Sequence, residues 1–153
     1  MAALTRARAL WSDQSGAELI EFALALPLLL LIALGIFDFG ILFQRYEVVT
    51  NAAREGARIA VLPGYADADV DTRVRQYVQA GGLVPAQAAL VIDHPTLPVN
   101  ASCVAVTTVT VTYPYSYSFV GGIAAYLGAA GFAGGSIRAT AQMRNEVPAI
   151  GCP

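Results

Sequence analysis

The longest hydrophobic run of the chain lies near its N-terminus. It extends from Phe22 to Phe37 without a charged residue. With the residues up to Phe43, the mainly apolar segment reaches about 22 residues, enough helix to cross a hydrocarbon core of ~30 Å. No small-residue cleavage site follows the run, so we expect it to persist in the mature protein. The pattern therefore predicts a transmembrane helix over about residues 22–43, with a kink at Pro27.

The helical pattern continues beyond this run. Small and apolar residues recur every three or four positions and charged residues lie on the other side. The small or apolar positions are Val49, Ala52, Ala53, Gly56 and Ala60; the charged ones are Arg54, Glu55 and Arg58. Pro63 and Gly64 end the pattern, which predicts one helix over residues 17–62. A stripe of small residues lets another backbone approach closely, either from another subunit or from the chain's own domain.

The remaining residues, 63–153, predict a small α+β domain. Ala66 to Gln79 begins with acidic residues and is followed by Gly81 and Gly82, as expected for a short helix. Three segments rich in branched residues or with alternating polarity predict an antiparallel sheet. These strands are Ala89 to Asp93, Val104 to Tyr113 and Ile137 to Arg144.

Two segments of this domain leave alternatives open. The apolar alternation of the second strand shifts across Thr107 and Thr108, which indicates either a β-bulge or a strand buried on both faces. The glycine- and alanine-rich segment Phe119 to Gly134 forms either a weak helix or a hydrophobic loop. We favour the helix, because Ile123, Tyr126 and Leu127 would share one face.

Composition supports a membrane-associated chain. The content of 56% hydrophobic and 13% charged residues, with mean hydropathy +0.57, is too apolar for a wholly soluble domain of this size. The net charge of -2 provides no basic surface for phosphate groups, so we expect no nucleic acid partner.

Residues with catalytic or metal-binding chemistry are sparse. His94 is the only histidine, and no Ser or Cys lies in a nucleophile motif. Asp67, Asp69 and Asp71 lack the glycine and distal glutamate of a calcium loop, and they fit the start of a helix better. We therefore expect no enzyme activity, no metal, no cofactor and no small-molecule substrate.

The two cysteines, Cys103 and Cys152, both follow the apolar run. Neither is accompanied by the further Cys or His residues of a zinc site. If this half of the chain is extracytoplasmic, we expect them to form a disulfide, worth roughly 4 kcal/mol on the loop-entropy model. The alternative is two unrelated buried thiols.

Gly16 precedes the apolar helix, and the carboxylate of Glu21 lies on the fifth residue after it. A charged group at mid-bilayer costs about 3 kcal/mol and less toward the interface, so Glu21 should have a partner or a purpose. This Gly-xxxx-Glu junction resembles the class III signal of type IV prepilins, in which a membrane aspartyl peptidase cuts after the glycine on the cytoplasmic side.

The wider match extends through GAELIEFALALPLLLLIALGIFDFG and TNAAREGARIAV, which resemble the TadE-like pseudopilins of the tight-adherence, type IVb pilus machinery. The resemblance implies a pilin-like fold and a leader over residues 1–16. It makes Gly16 the residue before the cut, Ala17 the new N-terminus and Glu21 the carboxylate that pairs with a neighbour's amine. It implies as partners the membrane, a prepilin peptidase, other pilin or pseudopilin subunits and the assembly platform.

The direction of membrane insertion rests on several features together. Arg6 and Arg8 favour a cytoplasmic leader, because positive charges are enriched on the cytoplasmic side. Three arginines after the helix, Arg45, Arg54 and Arg58, reduce the difference in positive charge between its two sides. The predicted processing and the cysteine pair favour an extracytoplasmic domain over residues 63–153, anchored in the bacterial inner membrane. Asp38 is interpreted as an interfacial residue at the membrane boundary.

Two functions fit these features. The first is a minor pseudopilin subunit of a Tad pilus or related secretion appendage. The second is a stand-alone membrane-anchored scaffold or binding module. Processing at Gly16 separates them.

Overall fold

The computed structural model describes residues 15–99, 102–126, 128 and 134–145. The helices are α1 (Ser15–Ala60), α2 (Asp67–Ala80) and α3 (Val120–Tyr126), with a 3-10 turn at Pro85–Gln87. The strands are β1 (Ala89–Asp93), β2 (Thr96–Val99), β3 (Ser102–Tyr115) and β4 (Gly135–Arg144). The predicted α+β fold, with a long N-terminal helix, a short helix and an antiparallel sheet, is confirmed. Most of the predicted leader lies outside the described residues.

The sheet is built around β3, and every pairing is antiparallel. β4 pairs with one side of β3, from Val106 opposite Arg144 to Tyr115 opposite Gly135. β1 and β2 follow each other along the other side. The three predicted strands are present. β2 was not predicted, because it is short and contains Pro98, which is unfavourable in a sheet interior.

The structure decides the first open alternative and, over residues 119–126, the second. β3 keeps an unbroken register with β4 through Thr107 and Thr108, so there is no bulge there. The adjacent residues Val106 and Thr107 are both buried, as expected for a strand covered on both faces. The favoured helix is present over α3, in which Ala124 is buried and Tyr126 is 92% exposed. Leu127 lies outside the described residues.

The core lies between the second half of α1, α2 and one face of the sheet. Its buried residues include Val49, Ala53, Val70, Val74, Val78, Val109, Val111, Ile137 and Ala139. A Cβ on Gly56 would lie 2.6 Å from Cγ2 of Val74, and one on Gly81 would overlap Val48. The two glycines therefore let α1 and α2 approach closely, and the small-residue stripe is covered by the chain's own domain.

The first half of α1, residues 16–37, contributes nothing to this core among the described residues. From Gly16 to Phe37 almost every residue is exposed, and the helix continues through Pro27. Within the described residues, α1 is long enough and apolar enough to span a membrane. Its most apolar stretch has a mean hydropathy of 2.6 and is not buried. Contact with the domain begins at Asp38, so the predicted span of about 22–43 overlaps the domain over its last turns.

Candidate functional site

The predicted cleavage site lies at the exposed start of α1. Gly16 and Ala17 are in the first turn of the helix, and both are exposed. A Cβ on Gly16 would meet no atom of the described residues within 4 Å. Packing within the described part of the chain therefore does not require a glycine here.

Glu21 lies one turn beyond Ala17 on the same helix. Its side chain is exposed, and among the described residues it has no hydrogen bond or ion pair. Large apolar side chains surround it, including Ile20, Phe22 and Leu24, all of them exposed. Glu21 is therefore close to the predicted N-terminus of its own chain. Its predicted partner is the amine of a neighbouring subunit, which a single chain does not include.

Asp38 has a different environment from the one expected for a boundary residue. It is only 1% exposed, and its carboxylate accepts backbone N–H groups at the start of α3. The donors are Ser118 at 2.9 Å, Phe119 at 3.0 Å and Val120 at 2.7 Å. These N–H groups have no partner inside a helix, so the carboxylate satisfies them and complements the positive end of α3. Asp38 thus joins α1 to the β3–β4 connection.

Aromatic residues surround this junction. The hydroxyl of Tyr115 donates to the backbone carbonyl of Asp38 at 2.9 Å. Tyr117 makes edge-to-face contacts with Phe39 and Tyr115, with centroid distances of 6.3 and 5.0 Å. The guanidinium of Arg45 lies 5.4 Å from the centre of the Tyr115 ring. The end of β3 is therefore held against α1 at Asp38.

A second junction lies in the AREGAR segment of α1. Glu55 accepts hydrogen bonds from Arg58 on the same helix, at 2.8 and 2.9 Å, and from Arg73 on α2, at 3.1 and 3.2 Å. These hydrogen bonds, that of Arg58 above all, hold the pKa of Glu55 below its usual value, against the opposing effect of burial. Together with Gly56, Glu55 fixes α2 against α1.

His94 connects three parts of the domain. Its Nε2 lies 3.1 Å from an Asp67 carboxylate oxygen, and its Nδ1 lies 3.1 Å from the Thr107 hydroxyl. The order carboxylate, imidazole, hydroxyl resembles a nucleophile relay. However, Thr107 is fully buried and donates its proton to Asn145 at 2.9 Å. The arrangement fits a structural link between α2, β3 and the end of β4.

The other predicted residues occupy separate places. The Asp69 carboxylate accepts the N–H of Ala66 at the start of α2, and Asp71 pairs with Arg75 at 2.7 Å. Both acids thus serve the helix that the sequence predicted. Cys103 is buried on β3, opposite Pro98, whereas Cys152 lies outside the described residues. Their disulfide stays a prediction.

Sequence reasoning assigned Asp38 to the membrane boundary and missed its contact with α3. The available signal was an acid within an apolar helix, which requires a partner when the helix leaves water. The partner was not identifiable, because it consists of backbone groups about eighty positions further along the chain.

These features define a small α+β domain carried on one long helix whose first half is apolar and exposed, which is a pilin-like architecture. The family model for TadE-like proteins matches residues 16–58, so the resemblance seen in the sequence is confirmed and the chain is TadE-like over this segment. That family is pilus-associated and pseudopilin-like. The matched residues cover the exposed half of α1, Asp38 and the junction at Glu55 and Gly56.

Comparison with curated proteins and with solved structures finds no match.

Proposed function

We propose that this protein is a minor pseudopilin subunit used in assembling a Tad pilus, a type IVb pilus or a related secretion appendage. A prepilin peptidase processes it after Gly16. The observation that carries this function is the exposed apolar half of α1, which holds Glu21 without an intramolecular partner among the described residues. The TadE-like match over residues 16–58 supports the same function.

The exposed half of α1 suits lateral packing in a membrane and then in a filament. From Gly16 to Phe37 the helix is about 33 Å long, close to the thickness of a hydrocarbon core. The small-residue stripe further along α1 is already covered by the domain. Contacts with other subunits therefore use the large apolar side chains of the first half.

Glu21 is the residue that gives this packing a defined register. Cleavage after Gly16 places a new amino group on Ala17, one helical turn from Glu21. In a neighbouring copy or a related subunit, that amine neutralises the carboxylate. An acid buried among apolar helices requires such a partner. Register and charge neutralisation are then achieved by the same contact.

The proposed location follows from the same features. The chain crosses the bacterial inner membrane once, with residues 1–16 on the cytoplasmic side, where the peptidase cuts. The domain of residues 63–153 lies outside, where the disulfide between Cys103 and Cys152 can form. Its partners are the peptidase, other pilin or pseudopilin subunits and the assembly platform.

The proposal is tested by mapping the N-terminus of the membrane-extracted protein by mass spectrometry, with and without the cognate peptidase. We expect a chain that begins at Ala17 only when the peptidase is present. Gly16→Ala should abolish this product. Gly40→Ala is the matched control, because a Cβ added to this glycine also meets no atom within 4 Å and the residue lies far from the cleavage site. An intact Met1 start with active peptidase would favour the stand-alone scaffold instead.

A further inference from the structure

Exposed aromatic side chains cluster at the level where α1 meets the domain. We call this cluster the aromatic collar; its members are Phe37, Phe39 and Phe43 on α1, and Phe119 and Tyr126 at the two ends of α3. Tyr126 is 92% exposed, and the four phenylalanines are 44–68% exposed. A group of large exposed apolar side chains of this kind marks a contact surface.

Hydrogen bonding to Asp38 fixes the height of the collar. Phe37 and Phe39 are the chain neighbours of Asp38, and the N–H of Phe119 donates to its carboxylate at 3.0 Å. Phe43 lies about 7.5 Å further along α1, and Tyr126 lies within roughly 10 Å of the start of α3. The four phenylalanines therefore lie close to Asp38 at one end of the exposed apolar helix, and Tyr126 lies at the far end of the short α3.

The height of the collar matches that of a membrane surface. The helix from Glu21 to Asp38 is about 26 Å long and carries no charged residue between these two acids. If Glu21 lies near one interface, Asp38 and the collar lie near the other. The next charged side chain along α1 is Arg45, about 10 Å beyond Asp38, where lipid phosphates would be.

The β3–β4 connection has a matching composition. From Tyr113 to Ile137 the chain contains no charged residue and no histidine. This run begins and ends in the strands at the end of the sheet that contacts α1 near Asp38. The described residues of this run, 113–126, 128 and 134–137, therefore have the apolar and aromatic composition that a membrane interface favours.

The directions of the side chains distinguish lipid from a protein partner. At 3.6 residues per turn, Phe37 and Phe39 leave α1 about 100° to either side of Asp38, and Phe43 leaves it about 140° away. Phe119 lies on the side of α1 that Asp38 faces, because its N–H donates to the Asp38 carboxylate. A neighbouring helix would cover one side of α1, whereas lipid contacts every exposed side at once.

We infer that the aromatic collar lies in the headgroup region of the bilayer and that α3 rests on the membrane surface, so that Asp38 sets the height of the domain above the membrane. The inference rests on the proposed membrane anchoring. The partner is the lipid interface, and the Asp38 contact is the device that brings α3 to it.

The test uses the full chain, one copy per nanodisc, with Trp11→Phe so that an introduced tryptophan is the only one present. Phe119→Trp and Tyr126→Trp report on the collar. Leu30→Trp reports on the middle of the span, and Tyr65→Trp, exposed beyond the far end of α1, is the control away from the membrane. The probes are phosphatidylcholines brominated at shallow or deep positions of the acyl chain, which quench tryptophan on contact.

We expect deep bromines to quench the Leu30→Trp variant most and neither position to quench Tyr65→Trp. The two collar variants should be quenched chiefly by shallow bromines, with a blue-shifted emission. The inference would be overturned if the collar variants were quenched no more than Tyr65→Trp while Leu30→Trp was still quenched. The membrane anchoring would then remain intact. Lack of quenching in Leu30→Trp would overturn the anchoring itself. Shielding of the collar only when several copies share a nanodisc would assign it to a second copy and reject lipid.

Discussion

Asp38 shows how one residue in an apolar helix can organise a domain. A buried carboxylate loses its hydration, and it is tolerated only where hydrogen bonds replace the lost water. Here three consecutive backbone N–H groups do so, and each of them would otherwise lack a partner at the start of α3. The same contact thus satisfies the acid and holds the β3–β4 connection.

We expect Asp38→Ala to release this connection, because the three N–H groups would be left without an acceptor. The expected loss is about 3 kcal/mol in the free energy of unfolding, since hydrogen bonds to a charged group are worth more than neutral ones. Hydrogen exchange of the full chain in detergent should show faster exchange at Ser118, Phe119 and Val120. Glu47→Ala is the matched control, because this acid is exposed on the same helix. Unchanged exchange at these amides would contradict the role assigned to Asp38.

The environment of Glu55 predicts that the free energy of unfolding depends on pH. Its pKa is lowered in the folded protein, first by the hydrogen bond from Arg58. The unfolded chain therefore takes up a proton more readily, at a pKa of about 4.3, and stability falls as the pH drops through this value toward the lower folded one.

We expect Glu55→Gln to flatten this acid dependence and to lower stability at neutral pH by less than about 1 kcal/mol, because both arginines are half exposed and such ion pairs contribute little. Denaturant unfolding at several pH values measures both effects. Glu47→Gln is the matched control, because it removes an exposed acid that has no ion pair among the described residues. A Glu55→Gln profile identical to that of the parent would show that the ion pairs with Arg58 and Arg73 do not couple to folding.

At the scale of elements, α1 consists of two halves with different surroundings. The first half presents large apolar side chains outward, whereas the second is lined with small residues against α2 and the sheet. Periodicity along the chain predicted the helix and the stripe. It left open whether another subunit or the chain's own domain covers the stripe, because both require the same small side chains.

The contact between α1 and α2 predicts a steric effect at Gly56. A Cβ there would lie 2.6 Å from Cγ2 of Val74, so Gly56→Ala should destabilise the domain by about 1–3 kcal/mol through overpacking. Thermal unfolding of the full chain in detergent measures this loss, and Val74→Ala in the same chain should recover part of it. Gly40→Ala, where a Cβ has open space, is the control. Equal stability of the Gly56→Ala and Gly40→Ala variants would reject the close contact.

At the scale of the whole molecule, the candidate functional residues and the contacts that hold the domain lie in different parts of the chain. The start of α1 carries Gly16, Ala17 and Glu21, which are all exposed in the part of the chain that the structure describes. The domain is attached through Asp38 and Glu55, well away from that end. Substitutions at the exposed start of α1 should therefore leave the fold intact.

This separation predicts the behaviour of Glu21→Ala. The variant should be processed after Gly16 as efficiently as the parent protein, because the fold and the cleavage site are intact. Under the proposed pairing, it should be incorporated poorly into the appendage, because a neighbour's Ala17 amine would lose its carboxylate. Quantifying the mature protein in sheared appendages and in membranes measures the two steps. Glu18→Ala, which removes a neighbouring acid, is the control. Normal incorporation of the Glu21→Ala variant would rule out the pairing role.

The sequence by itself determined the long helix, the short helix, the three longer strands and the TadE-like segment. These depend on periodicity, length and the spacing of Gly16 and Glu21, which are local properties of the chain. Only the tertiary structure decided which donors satisfy Asp38, which cation from α2 reaches Glu55 and what covers the small-residue stripe. Each of these joins positions far apart in the chain, and hydrogen bonding and close packing between them depend on how the elements fold together rather than on the pattern within any one of them.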